Sequence, residues 1–129
     1  MRGVLVQEMV RDAREVIVGV SRDPQFGPVI MFGLGGIFVE AFKDVSFRVA
    51  PLGRTDAEEM IEEVKGNKVL KAYRGRPEAD VEGIIDVLIK VSNLVTDLGD
   101  VISEIDINPL MVLNKGYGVK AADALIVFQ

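Results

Sequence analysis

The periodicities along this chain predict an α+β fold, a mainly antiparallel sheet carrying two helices. Three observations carry that prediction. Short β-branched apolar runs fill Gly3–Leu52, two stretches of helical spacing follow, and the last part returns to strand character around a glycine-containing turn. Strands in a block, then helices, then strands again is not a βαβ alternation, so a Rossmann arrangement is disfavoured.

Gly3–Val10 (GVLVQEMV) and Glu15–Ser21 (EVIVGVS) are apolar runs separated by the charged Arg11-Asp12-Ala13-Arg14, and they read as a hairpin. Gly27–Gly33 (GPVIMFG) reads as a third strand and Val45–Leu52 (VSFRVAPL) as a fourth, ending at Pro51. The period then changes. Ala57, Met60, Ile61 and Val64 fall at helical spacing, Thr55 with Glu58 fits a capping box, and Gly66-Asn67 supplies a stop, which together predict a helix over Asp56–Lys65. Val81, Ile84, Ile85, Leu88, Val91, Val95 and Leu98 mark one face of a longer helix over Asp80–Leu98, preceded by Pro77 and closed by Gly99. Ser103–Leu113 and Val119–Phe128 flank Asn114-Lys115-Gly116-Tyr117-Gly118 and predict a closing hairpin, Ser103–Phe128, on the same sheet.

The 129 residues suit one domain, and 49% hydrophobic content is enough for a single core without disulfides or a structural metal. The chain has no Cys and no His, which excludes thiolate metal sites, a Cys nucleophile and a phosphohistidine carried by these residues. A metal bound here takes oxygen ligands, which points to a hard cation such as Mg²⁺. A formal charge of −5 argues against a nucleic-acid partner. No apolar run approaches the ~20 residues of a membrane span, and Met1-Arg2-Gly3 leads into Val4-Leu5-Val6 without a cleavage pattern, so the expected compartment is the cytoplasm.

The closing hairpin is the richest in chemistry. Glu104, Asp106 and Asn108 alternate with Ile105, Ile107 and Pro109 and project from one strand face. If the turn has an even number of residues, for example the pair Lys115-Gly116, Asn108 stands opposite Asp123 with Cβ atoms about 4.5–5.5 Å apart, a separation that suits one cation. Asp123 lies in the run Lys120–Val127, where a lone carboxylate among apolar residues is costly without a partner. The same alternation is also what the solvent face of any antiparallel hairpin shows. Elsewhere, Gly33-Leu34-Gly35-Gly36 leaves backbone free of Cβ atoms near a ligand, or simply turns the chain; it lacks the Lys-Ser/Thr ending of a phosphate loop. Arg22-Asp23-Pro24-Gln25-Phe26-Gly27-Pro28 specifies a rigid turn, with Arg22 available to a phosphate and Phe26 to a partner, or with Asp23 satisfied locally. Gln7-Glu8-Met9-Val10 and Glu15 supply main-chain groups for an adenine and a carboxylate for a ribose hydroxyl, or an ordinary edge strand.

Taken in order, VLVQEMV, EVIVGVSRDPQFGPVIMFGLGGIFVE, FRVAPL and EIDINPLMV resemble the ATP-grasp domain of ADP-forming acetyl-CoA or acyl-CoA synthetases, relatives of the β subunit of succinyl-CoA synthetase. The resemblance covers nearly the whole chain, and it implies that residues 1–129 form the C-terminal part of an ATP-grasp nucleotide-binding domain. It further implies that Gln7, Glu8, Met9 and Val10 form the hinge that receives the adenine of ATP or ADP, with Glu15 beside the nucleotide. Asn108 and Asp123 would hold Mg²⁺ on the phosphates; Asp106, where succinyl-CoA synthetase has Glu, would be an additional or water-mediated ligand. Gly35, Gly36 and Glu40 would form a loop near the active site.

The implied partners are the missing N-terminal ATP-grasp subdomain and a CoA-binding, phosphohistidine-bearing subunit, in a homo- or hetero-oligomer without nucleic acid or membrane. The isolated chain is then not a complete enzyme, and it is expected to self-associate through apolar surface, with the N-terminal strand at an open edge. A nucleotide-sensing or interaction module of a synthetase-like regulatory protein is the alternative; such a copy should lose the metal ligands, which are present here as Asn108 and Asp123. A plain assembly domain that never binds nucleotide is a third reading.

Overall fold

The computed structural model describes residues 9, 13–35, 44–72 and 75–129. In chain order the elements are β1 (Arg14–Asp23), β2 (Gly27–Leu34), β3 (Val45–Val49), α1 (Arg54–Glu63), a 3₁₀ turn (Asn67–Leu70), α2 (Val81–Asp97), β4 (Ile102–Val112), β5 (Val119–Ala121) and β6 (Ala124–Phe128). Among the described residues the strands form one sheet in the order β3-β2-β1-β4, with β5 and β6 both pairing β4, and every pairing is antiparallel. The α+β reading holds.

β1 is central. Its Val16–Asp23 stretch pairs β2, and its Arg14–Val20 stretch pairs β4. Both edges of Glu15–Ser21 are therefore occupied, which overturns the hairpin expected between that segment and Gly3–Val10; the conformation of Gly3–Val10, apart from Met9, lies outside the described residues. Local alternation specifies a strand but not its neighbour, and the more distant β4 took the edge. The strand expected over Val45–Leu52 is shorter, stopping at Val49 before Pro51.

One sheet face is covered by the helices. Val16, Val18 and Val20 of β1, Ile30, Phe32 and Leu34 of β2, and Ile105, Leu110 and Val112 of β4 meet Ala57, Met60 and Ile61 of α1 and Ile84, Ile85, Leu88, Val91 and Val95 of α2 in one core. Each of the large side chains fully withdrawn from water, such as Phe32, Met60, Ile84 and Leu88, contributes about 1.5–3 kcal/mol of transfer free energy. Ser92 is buried on α2 because its hydroxyl accepts the Leu52 N–H at 2.7 Å, and Ser46 is buried on β3 because it donates to the Met60 carbonyl at 2.8 Å.

α1 starts two residues before the expected Asp56, and Thr55 does not cap it. Gly53 is the N-cap, and the Asp56 carboxylate reaches back to the Gly53 N–H at 2.8 Å, so the reciprocal half of a capping box is made by aspartate rather than by Glu58. Glu58 instead pairs with Arg54, one helical turn away. The helix stops at Glu63, and Asn67–Leu70 adds a 3₁₀ turn that the Gly66-Asn67 stop signal concealed. α2 matches its expected span within a residue at each end. No helix of the described residues is long and apolar enough to cross a membrane.

Candidate functional site

β4 passes a bulge at Asn108-Pro109. Val16 pairs Leu110 and Val18 pairs Ile107, so Asn108 and Pro109 together face the single residue Ile17. The bulge reverses the strand's parity: Ile105 faces the core before it, Leu110 and Val112 after it. Bulges re-aim side chains, and this one falls where the strand presents an exposed Asn108.

Across the ladder, the Asn108 N–H donates to the Asp123 carbonyl at 3.0 Å, and the Ala122 N–H to the Pro109 carbonyl at 3.0 Å. Ile107 pairs Ala124 and Leu110 pairs Ala121 on either side. Asn108 and Asp123 are thus directly opposite, as the sequence predicts. The turn is even but wider than the pair Lys115-Gly116: the Leu113 N–H bonds the Gly118 carbonyl at 3.0 Å, and the Tyr117 N–H closes on Asn114 at 2.9 Å. The returning strand is broken into β5 and β6 at Ala122-Asp123, where the bulge is accommodated. One expectation fails: Asp123 is exposed, not packed among apolar neighbours, because β6 lies at the edge of the sheet with every residue open to water. Its carboxylate carries no burial cost that a partner must offset.

Asp106 is half-buried, pairs Gly19 of β1 on one side and Leu125 of β6 on the other, and projects away from the helix-covered core to which Ile105 belongs. Glu104 is exposed two residues earlier. Glu15, on β1, is exposed and pairs Met111 of β4, three residues past Asn108. Gly35 closes over it: its N–H donates to the Glu15 carbonyl at 2.8 Å, and a Cβ at Gly35 would stand 2.9 Å from that of Glu15. Of the other expected site residues, Met9 is exposed, whereas Gln7, Glu8, Val10, Gly36 and Glu40 lie outside the described residues.

Glu15 and Gly35 also line a cavity of about 620 Å³ together with Arg14, Leu34, Asp44, Lys65, Gly66, Lys68 and Val69. Sequence reasoning missed most of this lining. Arg14 is buried and donates to the carbonyls of Val69 and Pro77 and to Asn114 Oδ1, tying β1 to the 3₁₀ segment and the β4–β5 turn. Burial, with Arg76 nearby, lowers the pKa of its guanidinium. Asp44 accepts the Lys65 and Gly66 N–H groups, each at 2.7 Å. An isolated Arg before an apolar run carries no signal for such a clamp. Arg22, considered for phosphate, instead turns inward: its Nε donates to the Ile102 carbonyl at 3.0 Å. Asp23 is satisfied locally by the Gln25 and Phe26 N–H groups.

The hairpin is anchored at its far end. Asp80, the N-cap of α2, accepts the Gly83 N–H at 3.0 Å with one oxygen and the Gly118 N–H at 2.7 Å with the other. Gly83 permits this approach, since a Cβ there would lie 2.9 Å from Val119 Cγ1.

The donors at the Asn108–Asp123 position are an amide and a carboxylate, and no group of three or more His, Cys, Asp or Glu converges on a metal position among the described residues. That set fits a cation that keeps water and phosphate oxygens as its remaining ligands, as Mg²⁺ does.

Comparison with known proteins decides the family: the model of the ATP-grasp domain matches residues 1–128. The chain belongs to the ATP-grasp domain family. This ATP-grasp chain is 53% identical over 127 residues to the beta subunit of an ADP-forming acetate–CoA ligase II of Pyrococcus furiosus, covering 98% of the chain and 54% of that subunit. It is 41% identical over 126 residues to an ADP-forming 4-hydroxybutyrate–CoA ligase of Nitrosopumilus maritimus, covering 98% of the chain and 18% of that ligase. Among solved structures, an acetyl-coenzyme A synthetase of Ca. Korarchaeum cryptofilum in complex with coenzyme A and Mg-AMPPCP superposes with a TM-score of 0.88 at 49% identity, over 95% of the ATP-grasp chain and 56% of the other. The chain thus spans about half or less of the length of the relatives it matches.

Proposed function

We propose that the chain is the C-terminal, nucleotide- and Mg²⁺-binding part of the ATP-grasp domain of an ADP-forming acyl-CoA synthetase, the whole enzyme converting acyl-CoA, ADP and phosphate to acid, CoA and ATP. The observation that carries this reading is the direct opposition of exposed Asn108 and Asp123 across the β4 ladder, at a bulge, in a member of the ATP-grasp family. Support for the nucleotide and the metal comes from a neighbour at 49% identity solved with Mg-AMPPCP, and support for the reaction from relatives that are ADP-forming CoA ligases.

In this reading Asn108 and Asp123 would hold Mg²⁺, with Asp106 an additional or water-mediated ligand. A bound ion would supply positive charge against the phosphoryl group being transferred. The protein's own contribution is position: the bulge points Asn108 outward, and the Asp80 anchor holds the turn so that Asp123 stays in register. Gln7, Glu8, Met9 and Val10 receive the adenine, and Glu15 accepts from the ribose. No residue here is the nucleophile; with no His in the chain, the phosphohistidine belongs to another subunit or another part of a longer chain. The remaining ATP-grasp subdomain and the CoA-binding part complete the enzyme.

Reconstitution tests the proposal. The chain joined to the remaining ATP-grasp subdomain and mixed with a CoA-binding phosphohistidine subunit should form ATP from acetyl-CoA or another acyl-CoA, ADP and phosphate, in proportion to the CoA released. A complete assembly that binds ADP yet releases no CoA from any acyl-CoA would favour the regulatory reading.

A further inference from the structure

β6, Ala-Leu-Ile-Val-Phe, is an edge strand without a charged residue, a proline or a glycine, and all five of its residues are exposed. Leu125 is 58% and Phe128 66% exposed, unusual for a strand so apolar. Its ladder to β4 fixes which backbone groups remain open. The Asp123 carbonyl accepts from Asn108, the Val127 carbonyl accepts from Ser103 Oγ, and the Gln129 N–H donates to Val101, so odd-numbered residues face β4. The N–H and C=O groups of Ala124, Ile126 and Phe128 therefore point outward, with no partner strand among the described residues.

We infer that a second copy of this chain covers the edge: two β6 strands pair antiparallel about a two-fold axis through Ile126. That axis lets Ile126 exchange both main-chain hydrogen bonds with its own copy and continues the sheet across the seam. Its side-chain register is self-complementary. Phe128, the largest residue of the strand, stands opposite Ala124, the smallest, and Leu125 stands opposite Val127. No like charges meet, because Asp123 comes opposite Gln129 of the second copy. Ile126 and Phe128, which pair core residues Ile105 and Ile102, share the helix-bearing face of the sheet. The N-terminal strand expected at an open edge lies, Met9 apart, outside the described residues.

Two measurements on the full chain test this. Sedimentation equilibrium should give a dimer at micromolar concentration, and Ile126→Pro, which removes only the outward N–H at a position where an edge strand tolerates proline, should give a monomer with unchanged circular dichroism. Because the chain has no cysteine, Ala122→Cys takes a single spin label. The proposed register separates the two labelled Cα atoms by eight residues along the seam, about 27 Å, and dipolar spectroscopy should find a narrow distribution near that value. A monomer at all concentrations, a dimer that persists in folded Ile126→Pro, or label distances far from this value would each overturn the pairing. Should Ile126→Pro unfold, the label distance alone decides.

Discussion

Replacing Asp80 by alanine tests how the hairpin carrying Asn108 and Asp123 is held in place. The carboxylate is buried and accepts two main-chain N–H groups, Gly83 inside the first turn of α2 and Gly118 at the end of the hairpin turn. Losing the N-cap bond costs about 1 kcal/mol. Leaving the Gly118 N–H without its acceptor costs about 1–2 kcal/mol more, because the group is part-buried and water reaches it poorly. The sum, roughly 2–3 kcal/mol, corresponds to a fall in Tm of about 6–15 °C for a domain of this size. Urea unfolding followed by far-UV circular dichroism reads the stability, and hydrogen exchange at the Gly118 amide reads the local anchor. Asp80→Asn keeps one acceptor oxygen and should recover about half of the loss. A loss below about 0.5 kcal/mol for Asp80→Ala, with unchanged Gly118 exchange, would refute the anchoring argument.

Gly83→Ala sets two effects against each other: alanine gains up to ~1 kcal/mol of helix propensity, but its Cβ would meet Val119 Cγ1 at 2.9 Å. Val119 is β-branched and stiff, so the clash should win and thermal unfolding should show a net loss of about 1 kcal/mol. Leu88→Ala removes a fully buried side chain from the sheet–helix core and should cost about 3–4 kcal/mol in urea unfolding without moving the Asn108–Asp123 pair. Gly35→Ala places a Cβ 2.9 Å from that of Glu15 and 3.1 Å from its backbone, so ADP affinity of the assembled synthetase, read by calorimetry, should fall while that of Leu88→Ala does not.

Helix α2 was legible almost to the residue because seven apolar positions at helical spacing, an aspartate N-cap and a following glycine all agree. The opposition of Asn108 and Asp123 was legible because the turn, though wider than the pair Lys115-Gly116, is centred on it and so keeps the same register. What the sequence concealed is non-local. β1 reads as a hairpin partner of Gly3–Val10, yet its second neighbour is β4, more than eighty residues on, and no local pattern specifies that choice. The bulge at Asn108-Pro109 arises from pairing with Ile17 and leaves no trace in the alternation before it. Arg14 is the clearest omission: as the last residue of the charged turn Arg11-Asp12-Ala13-Arg14 it looks solvated, and only tertiary packing brings Val69, Pro77 and Asn114 to it. Asp123 reads as buried because its neighbours are apolar, but apolar neighbours on an edge strand are themselves exposed.

The proposed role of Asn108 and Asp123 in holding the metal of the nucleotide is tested most directly by ATP formation in the assembled synthetase as Mg²⁺ is varied. Asp123→Asn removes one negative charge while preserving shape, and because the residue is exposed the substitution should leave Tm nearly unchanged. Turnover should fall by roughly a hundredfold or more, the scale of a loss of ~3 kcal/mol of transition-state stabilisation, and half-saturation should require more Mg²⁺. Wild-type turnover by Asp123→Asn at limiting Mg²⁺ would contradict the claim and leave Asp123 an exposed strand residue of the hairpin.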